Sequence, residues 1–185
     1  MTEIIEGENH TVYLTPITAT GNDSRSEREQ AASRRLLSTV FGENAVKDHH
    51  ADGAPFIIGR EDTAISISHS ASTFLLAVGK NGSPIGADIE CQRPQLERVR
   101  QKFLTADENR RRDRIEDGNA GMDFLVKCWT AKEAVYKAAR TPGLGLTEIE
   151  VTDDFRMADA RGTRYALSYH STDAGETICI ATAVR

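Results

Sequence analysis

The chain has 185 residues, 39% of them hydrophobic, which suffices for one domain or for two small halves sharing a core. Its 23 Lys and Arg against 28 Asp and Glu leave a formal charge of −5, so it offers no broad basic surface for nucleic acid. Cys91, Cys128 and Cys179 form no Cys-x-x-Cys pair, which argues against a disulfide framework or structural zinc site, while an acidic start and the lack of a long apolar run argue against a secretion signal or membrane span; a cytoplasmic protein is expected.

In chain order, an apolar segment over 11–17 predicts a strand, and the stretch after it predicts a helix over 25–40. Asp23 or Ser24 caps that helix, and Ala32, Leu36, Leu37 and Val40 supply its buried stripe. Residues 43–54 are polar and read as a connection, with His49 and His50 as loop residues because no third ligand lies near them. Strand-like runs follow at 64–68, 73–78 and 84–90, the last two joined by a predicted hairpin turn at 79–82, where Asn81-Gly82 suits positive φ. A short helix is predicted over 94–103, and Thr105 and Glu108 have capping-box spacing at the start of another. The arginine-rich stretch 110–119 reads as solvated, and a long helix runs over 121–140 until Pro142 and the glycines at 143 and 145 stop it. Strands over 146–151, 164–168 and 176–184 close the chain. Residues 65–78 weakly echo 166–184, each a strand, a His-Ser cap and an apolar return strand. The expected fold is therefore α/β (α+β): two similar halves, 1–92 and 93–185, related by a pseudo-twofold axis, each with a small mainly antiparallel sheet against helices and a site at their seam.

Two segments carry the chemistry. In G-A-D-I-E, residues 86–90, strand alternation puts Ile85, Ala87 and Ile89 on one face and Gly86, Asp88 and Glu90 on the other. Two carboxylates so close favour a hard divalent ion with oxygen ligands, and Gly86 would leave room for a bulky ligand; a solvent-facing strand end is the plainer reading. In W-T-A-K-E-A-V-Y-K, residues 129–137, Cys128, Ala131, Val135 and Ala138 form an apolar stripe, while Trp129, Glu133, Lys137 and Arg140 share another face. Glu133 and Lys137 have the spacing of a surface salt bridge worth only ~0.3 kcal/mol. Alternatively, Glu133 completes a three-carboxylate site and Lys137 holds a phosphate oxygen. Ser68-His69-Ser70 at a strand end is either a structural turn or a set of phosphate donors. The lack of an aspartate or nucleophile motif to accompany His69, and of a G-x-S-x-G elbow, argues against a serine hydrolase.

Four motifs occur together and in order: S-I-S-H-S at 66–70, G-A-D-I-E at 86–90, F-L-T-A-D-E at 103–108, and W-T-A-K-E-A-V-Y-K-A at 129–138 followed by G-L-G-L. With them the chain resembles the surfactin-type, two-halved 4′-phosphopantetheinyl transferases over residues 53–146. The resemblance implies a monomeric enzyme that moves the 4′-phosphopantetheine arm of coenzyme A to a serine of an acyl, peptidyl or aryl carrier protein, releasing adenosine 3′,5′-bisphosphate. It implies Mg²⁺ on Asp88, Glu90 and Glu133, with Asp88, Glu133 and Lys137 as the catalytic set. Lys137, His69, Ser68 and Lys132 are then expected along coenzyme A, with Glu133 or a metal-polarised water as the base and Glu108 as a further acidic candidate.

Two positions depart from the family pattern. Gly53-Ala54-Pro55 stands where many members have Gly-Lys-Pro, so Arg28, Arg34, Arg35 or Arg60 is expected to supply the charge toward the 3′-phosphate. Ala87 replaces the usual isoleucine or valine and keeps the alternation. Arg110, Arg111, Arg112 and Arg114 are candidates for contact with a typically acidic carrier, or else belong to a solvated loop. Two other readings compete: a non-catalytic carrier or coenzyme A binding module, and an unrelated Mg²⁺-dependent phosphoester hydrolase.

Overall fold

The computed structural model describes residues 2–18 and 21–184. The architecture is α/β, with separate antiparallel sheets packed against helices. The chain divides into a unit over residues 1–85 and a second over 86–185.

The first unit contains β1 (Glu3–Glu6), β2 (His10–Pro16), α1 (Arg25–Phe41), β3 (Lys47–His49), β4 (Pro55–Ile57), β5 (Ile65–His69) and β6 (Thr73–Gly79). Its four-stranded sheet has the order β1-β2-β6-β5. Ser24 is the cap of α1: its hydroxyl accepts the Glu27 N–H while the Glu27 carboxylate accepts the Ser24 N–H at 2.7 Å. Ala32, Leu36 and Leu37 then face Phe74 and Leu76 of β6 in the unit's core. Three strands of this unit escape the sequence pattern, among them the three-residue β4. β1 is an exposed edge of four residues, and β3 hides in the polar connection because its Lys-Asp-His carries no apolar alternation. His49 is exposed there, and His50 stacks on Phe56 with centroids 4.5 Å apart.

The second unit contains β7 (Ile85–Glu90), α2 (Gln95–Val99), α3 (Ala106–Asp113), α4 (Gly118–Ala139), β8 (Ile149–Val151), β9 (Met157–Ala160), β10 (Thr163–Ser171) and β11 (Thr177–Ala183). Its five-stranded sheet has the order β7-β11-β10-β9-β8. The expected hairpin between β6 and β7 is therefore corrected. Asn81 and Gly82 do take positive φ, 54° and 68°, but the turn lies in a short 3-10 segment, and β7 pairs with β11 instead of β6. The strand carrying Asp88 and Glu90 belongs to the second sheet.

Asp117 caps α4 by accepting the Ala120 N–H at 2.7 Å, and Arg140 ends it in the left-handed region at φ 47° ahead of Pro142. Ala131, Ala134, Val135 and Ala138 are buried against Cys179 and Ala181 of β11. Small residues at that seam let helix and sheet approach closely. At Gly86 the approach is closest: a Cβ there would overlap the Ala134 carbonyl oxygen and lie 2.6 Å from the Ala138 nitrogen. Gly86 thus makes room for the helix backbone, which corrects the expectation that it leaves space for a ligand.

Candidate active site

The lock between β7 and α4 fixes how their polar side chains meet. Asp88 and Lys137 form the tightest link. Lys137 Nζ donates to Asp88 Oδ1 at 2.7 Å and to the Ala87 carbonyl at 3.1 Å. Asp88 is buried at 6% exposure, so it does not project into open space as the strand alternation implied. All the other residues of β7 except Glu90 are buried as well, because α4 covers the face that the pattern assigns to solvent.

Glu133 lies one turn before Lys137 on α4 and is half-buried. The expected surface bridge between these two is absent, since Lys137 reaches across to the strand. Burial and then the nearby Asp88 charge push the Glu133 carboxyl above its usual range, with Lys137 opposing them. Among the described residues the Glu133 carboxylate makes no hydrogen bond or ion pair, Lys137 being bonded to Asp88. Glu90 turns elsewhere: its Oε2 lies 2.6 Å from an Arg93 guanidinium nitrogen, and its Oε1 accepts the Cys91 N–H at 3.0 Å.

Asp88 and Glu133 therefore share one electrostatic locality, with Lys137 beside it and Glu90 drawn to Arg93. Among the described residues no three His, Cys, Asp or Glu side chains form a ready-made metal cage. The donor chemistry nonetheless fits a hard cation. Burial first and the Asp88 charge second raise the Glu133 pKa, and carboxylate oxygens are the ligands that a hard cation takes.

Lys132 and Glu108 have a different role from the one expected. Both side chains are fully buried and pair at 2.8 Å. Lys132 Nζ also donates to the Leu146 carbonyl at 3.2 Å and to the Ile149 carbonyl, so its three donors are all engaged. Glu108 Oε2 accepts the Thr105 N–H at 2.8 Å in a capping box, and Oε1 accepts the Val151 N–H at 2.9 Å. The pair ties the start of α3, the middle of α4 and β8 together. Burial lowers the Lys132 pKa while the Glu108 charge resists the change. All three Lys132 donors are thus engaged inside the protein.

Trp129 packs edge-on against Phe103 at 5.1 Å, and the Arg93 guanidinium lies 5.9 Å from its ring centroid. Arg111 and Arg112 are also structural. Arg111 donates to the Val151 and Thr152 carbonyls, and Arg112 pairs with Glu97 at 2.8 Å. Of the four arginines expected to meet a carrier, Arg110 and Arg114 remain exposed, with Arg110 paired to Asp107 at 2.9 Å.

The remaining candidates lie in the first unit. Ser68 is buried and His69 exposed at the end of β5. His69 Nδ1 lies 3.6 Å from Glu29 on α1, and its ring stacks near Phe74. Arg35 donates to the Pro16 carbonyl at 2.7 Å and to the Thr15 hydroxyl at 3.4 Å. Sequence reading missed Arg93 and Glu29. Arg93 had a legible signal, three positions after Glu90, whereas Glu29 beside His69 depends on how α1 lies on its sheet.

Residues 84–183 match the family model for the 4′-phosphopantetheinyl transferase superfamily, ACPS. The matched stretch includes Asp88, Glu90, Glu133 and Lys137 and excludes Arg35, Ser68 and His69. Among solved structures the chain is similar to Thermotoga maritima holo-[acyl-carrier-protein] synthase at 14% identity and a TM-score of 0.38. That similarity covers 56% of this chain and 64% of the other, less than two thirds of its length. No curated protein sequence matches the chain.

Proposed function

The chain belongs to the 4′-phosphopantetheinyl transferase superfamily, and we propose that it transfers the 4′-phosphopantetheine arm of coenzyme A to a serine hydroxyl of an acyl or peptidyl carrier protein. The observation that carries this reading is the Asp88–Lys137 contact beside a half-buried Glu133. Both motifs that supply these residues lie within the matched stretch. The order of the motifs supports the surfactin-type subgroup, and the matching β5–β6 and β10–β11 hairpins support two similar halves.

Asp88 and Glu133, joined by Glu90, are the residues that would hold Mg²⁺. When bound there, the ion supplies positive charge to the pyrophosphate of coenzyme A. Lys137 adds a cation that a phosphate oxygen can share with Asp88, and it does so from a rigid helix, so little reorganisation is needed as charge develops. The serine oxygen forms a bond to the transferred phosphorus while the bond to the leaving adenosine 3′,5′-bisphosphate breaks. Glu133, or a water beside it, would accept the serine proton. His69 and Ser68, at one strand end, are proposed donors to the coenzyme A phosphates, with Arg35 toward the 3′-phosphate where Ala54 has no charge. The protein would act as a cytoplasmic monomer. No helix among the described residues is long and apolar enough to cross a membrane.

The test is to incubate the purified protein with coenzyme A, Mg²⁺ and candidate carriers, following adenosine 3′,5′-bisphosphate release alongside carrier consumption. Release in step with carrier supports transfer. Release from coenzyme A without any carrier identifies a hydrolase and contradicts the proposal.

A further inference from the structure

We propose that Arg93 is the resident counter-ion of Glu90, which a divalent cation must displace to gain that carboxylate. The inference rests on the metal-site reading above and extends it to a residue outside the motifs.

A guanidinium nitrogen of Arg93 lies 2.6 Å from Glu90 Oε2, a close ion pair. It is also seated. Its carbon lies 5.9 Å from the Trp129 ring centroid, and Trp129 is in turn braced edge-on against Phe103. Arg93 Nε is buried without a hydrogen-bond partner, so the guanidinium occupies this place despite leaving one donor unsatisfied. An arginine free to follow solvent would not accept that cost.

Each carboxylate of β7 therefore has its own cation: Asp88 has Lys137 at 2.7 Å and Glu90 has Arg93 at 2.6 Å. Glu133 has neither an ion pair nor a hydrogen bond among the described residues. A divalent ion entering beside Asp88 and Glu133 lacks Glu90 as long as the guanidinium holds Oε2 and the Cys91 N–H holds Oε1. The two positive charges compete for the same carboxylate, so Arg93 weakens metal binding and Glu90 joins the ion only by leaving it. The freed guanidinium keeps its seat on Trp129.

The experiment is calorimetric titration of Mn²⁺ alone into the purified full chain at low ionic strength, with thermal melts to establish folding. Arg93→Gln should bind Mn²⁺ roughly two- to fivefold more tightly than wild type, the scale of one partly exposed ion pair. Arg93→Lys, which keeps the charge, should stay closer to wild type. Trp129→Phe, which weakens the seat but keeps an aromatic ring, should move in the same direction as Arg93→Gln by less and serves if that variant does not fold. Unchanged or weaker Mn²⁺ binding by the folded variants overturns the inference. If wild type binds Mn²⁺ and Glu133→Gln loses it while the Arg93 variants match wild type, the Arg93 inference alone falls. If wild type does not bind Mn²⁺, the metal-site reading falls and takes the inference with it.

Discussion

Lys137 Nζ stands 2.7 Å from Asp88 Oδ1, so the helix lysine is bonded across to strand β7 and not to Glu133 one turn behind it. The pair lies 49 positions apart because the chain leaves β7, builds α2 and α3, and returns along α4. Replacing Lys137 by Met should lower the transfer rate about a hundredfold, the scale of losing one preorganised donor at developing charge. Steady-state carrier modification checks it, and an unchanged rate in a folded variant would leave Lys137 as a structural partner of Asp88 only.

Glu133 makes stability depend on pH in a direction that can be worked out. Burial first and the Asp88 charge second raise its folded-state pKa above the ordinary 4.5, so the folded protein binds this proton more tightly than the unfolded chain does. The stability it contributes is fully present below about pH 4.5 and is lost as pH rises through the folded pKa. In the presence of a chelator, Glu133→Gln should therefore melt higher than wild type at neutral pH, and the difference should shrink as pH falls toward 4.5. Thermal melts across that range decide it. A Gln variant less stable at neutral pH would mean that the carboxylate is already well compensated.

The Lys132–Glu108 pair predicts the opposite of a catalytic signature. Both groups are fully buried, so Lys132→Met strands a carboxylate and should cost about 3–5 kcal/mol of stability. The double variant Lys132→Met with Glu108→Gln should recover part of the loss, because no buried charge remains and the amide oxygen still accepts one of the Thr105 and Val151 N–H groups, which the two carboxylate oxygens accept separately. Urea denaturation measures both. Full stability in the single variant would contradict the buried-pair account.

Gly86→Ala tests the lock between strand and helix. A methyl group there overlaps the Ala134 backbone, which cannot move without shifting α4, and should cost about 3 kcal/mol, the upper end for overpacking. The expected result is a large fall in melting temperature with transfer lost in parallel. Wild-type stability would mean that β7 and α4 are less tightly packed than the structure has them.

Much of this was legible in the chain. The caps at Ser24 and Thr105, the long helix and the apolar stripe of α4 follow from local spacing, because each depends on residues three or four apart. The pairing of β7 with β11 is not local, and a period-two pattern with a good turn before it reads equally well as a hairpin. The site shows the same division. Asp88, Glu133 and Lys137 are named by their motifs, but the partner of each lysine is set by packing. Lys137 reaches Asp88 because Gly86 brings strand and helix backbones together, and Lys132, five positions earlier, points into the core toward Glu108. Arg93 was within reach of sequence reasoning, since a cation three residues after Glu90 is a natural partner for it.

The most direct test of the central claim is single-turnover transfer from coenzyme A to a purified carrier protein, in the presence of Mg²⁺, by wild type and by Glu133→Gln, read by intact-protein mass spectrometry. The account predicts a 4′-phosphopantetheine adduct with wild type that a chelator abolishes, and none on the same timescale with a Gln variant that melts as a folded protein. Near-wild-type transfer by that folded variant would contradict it.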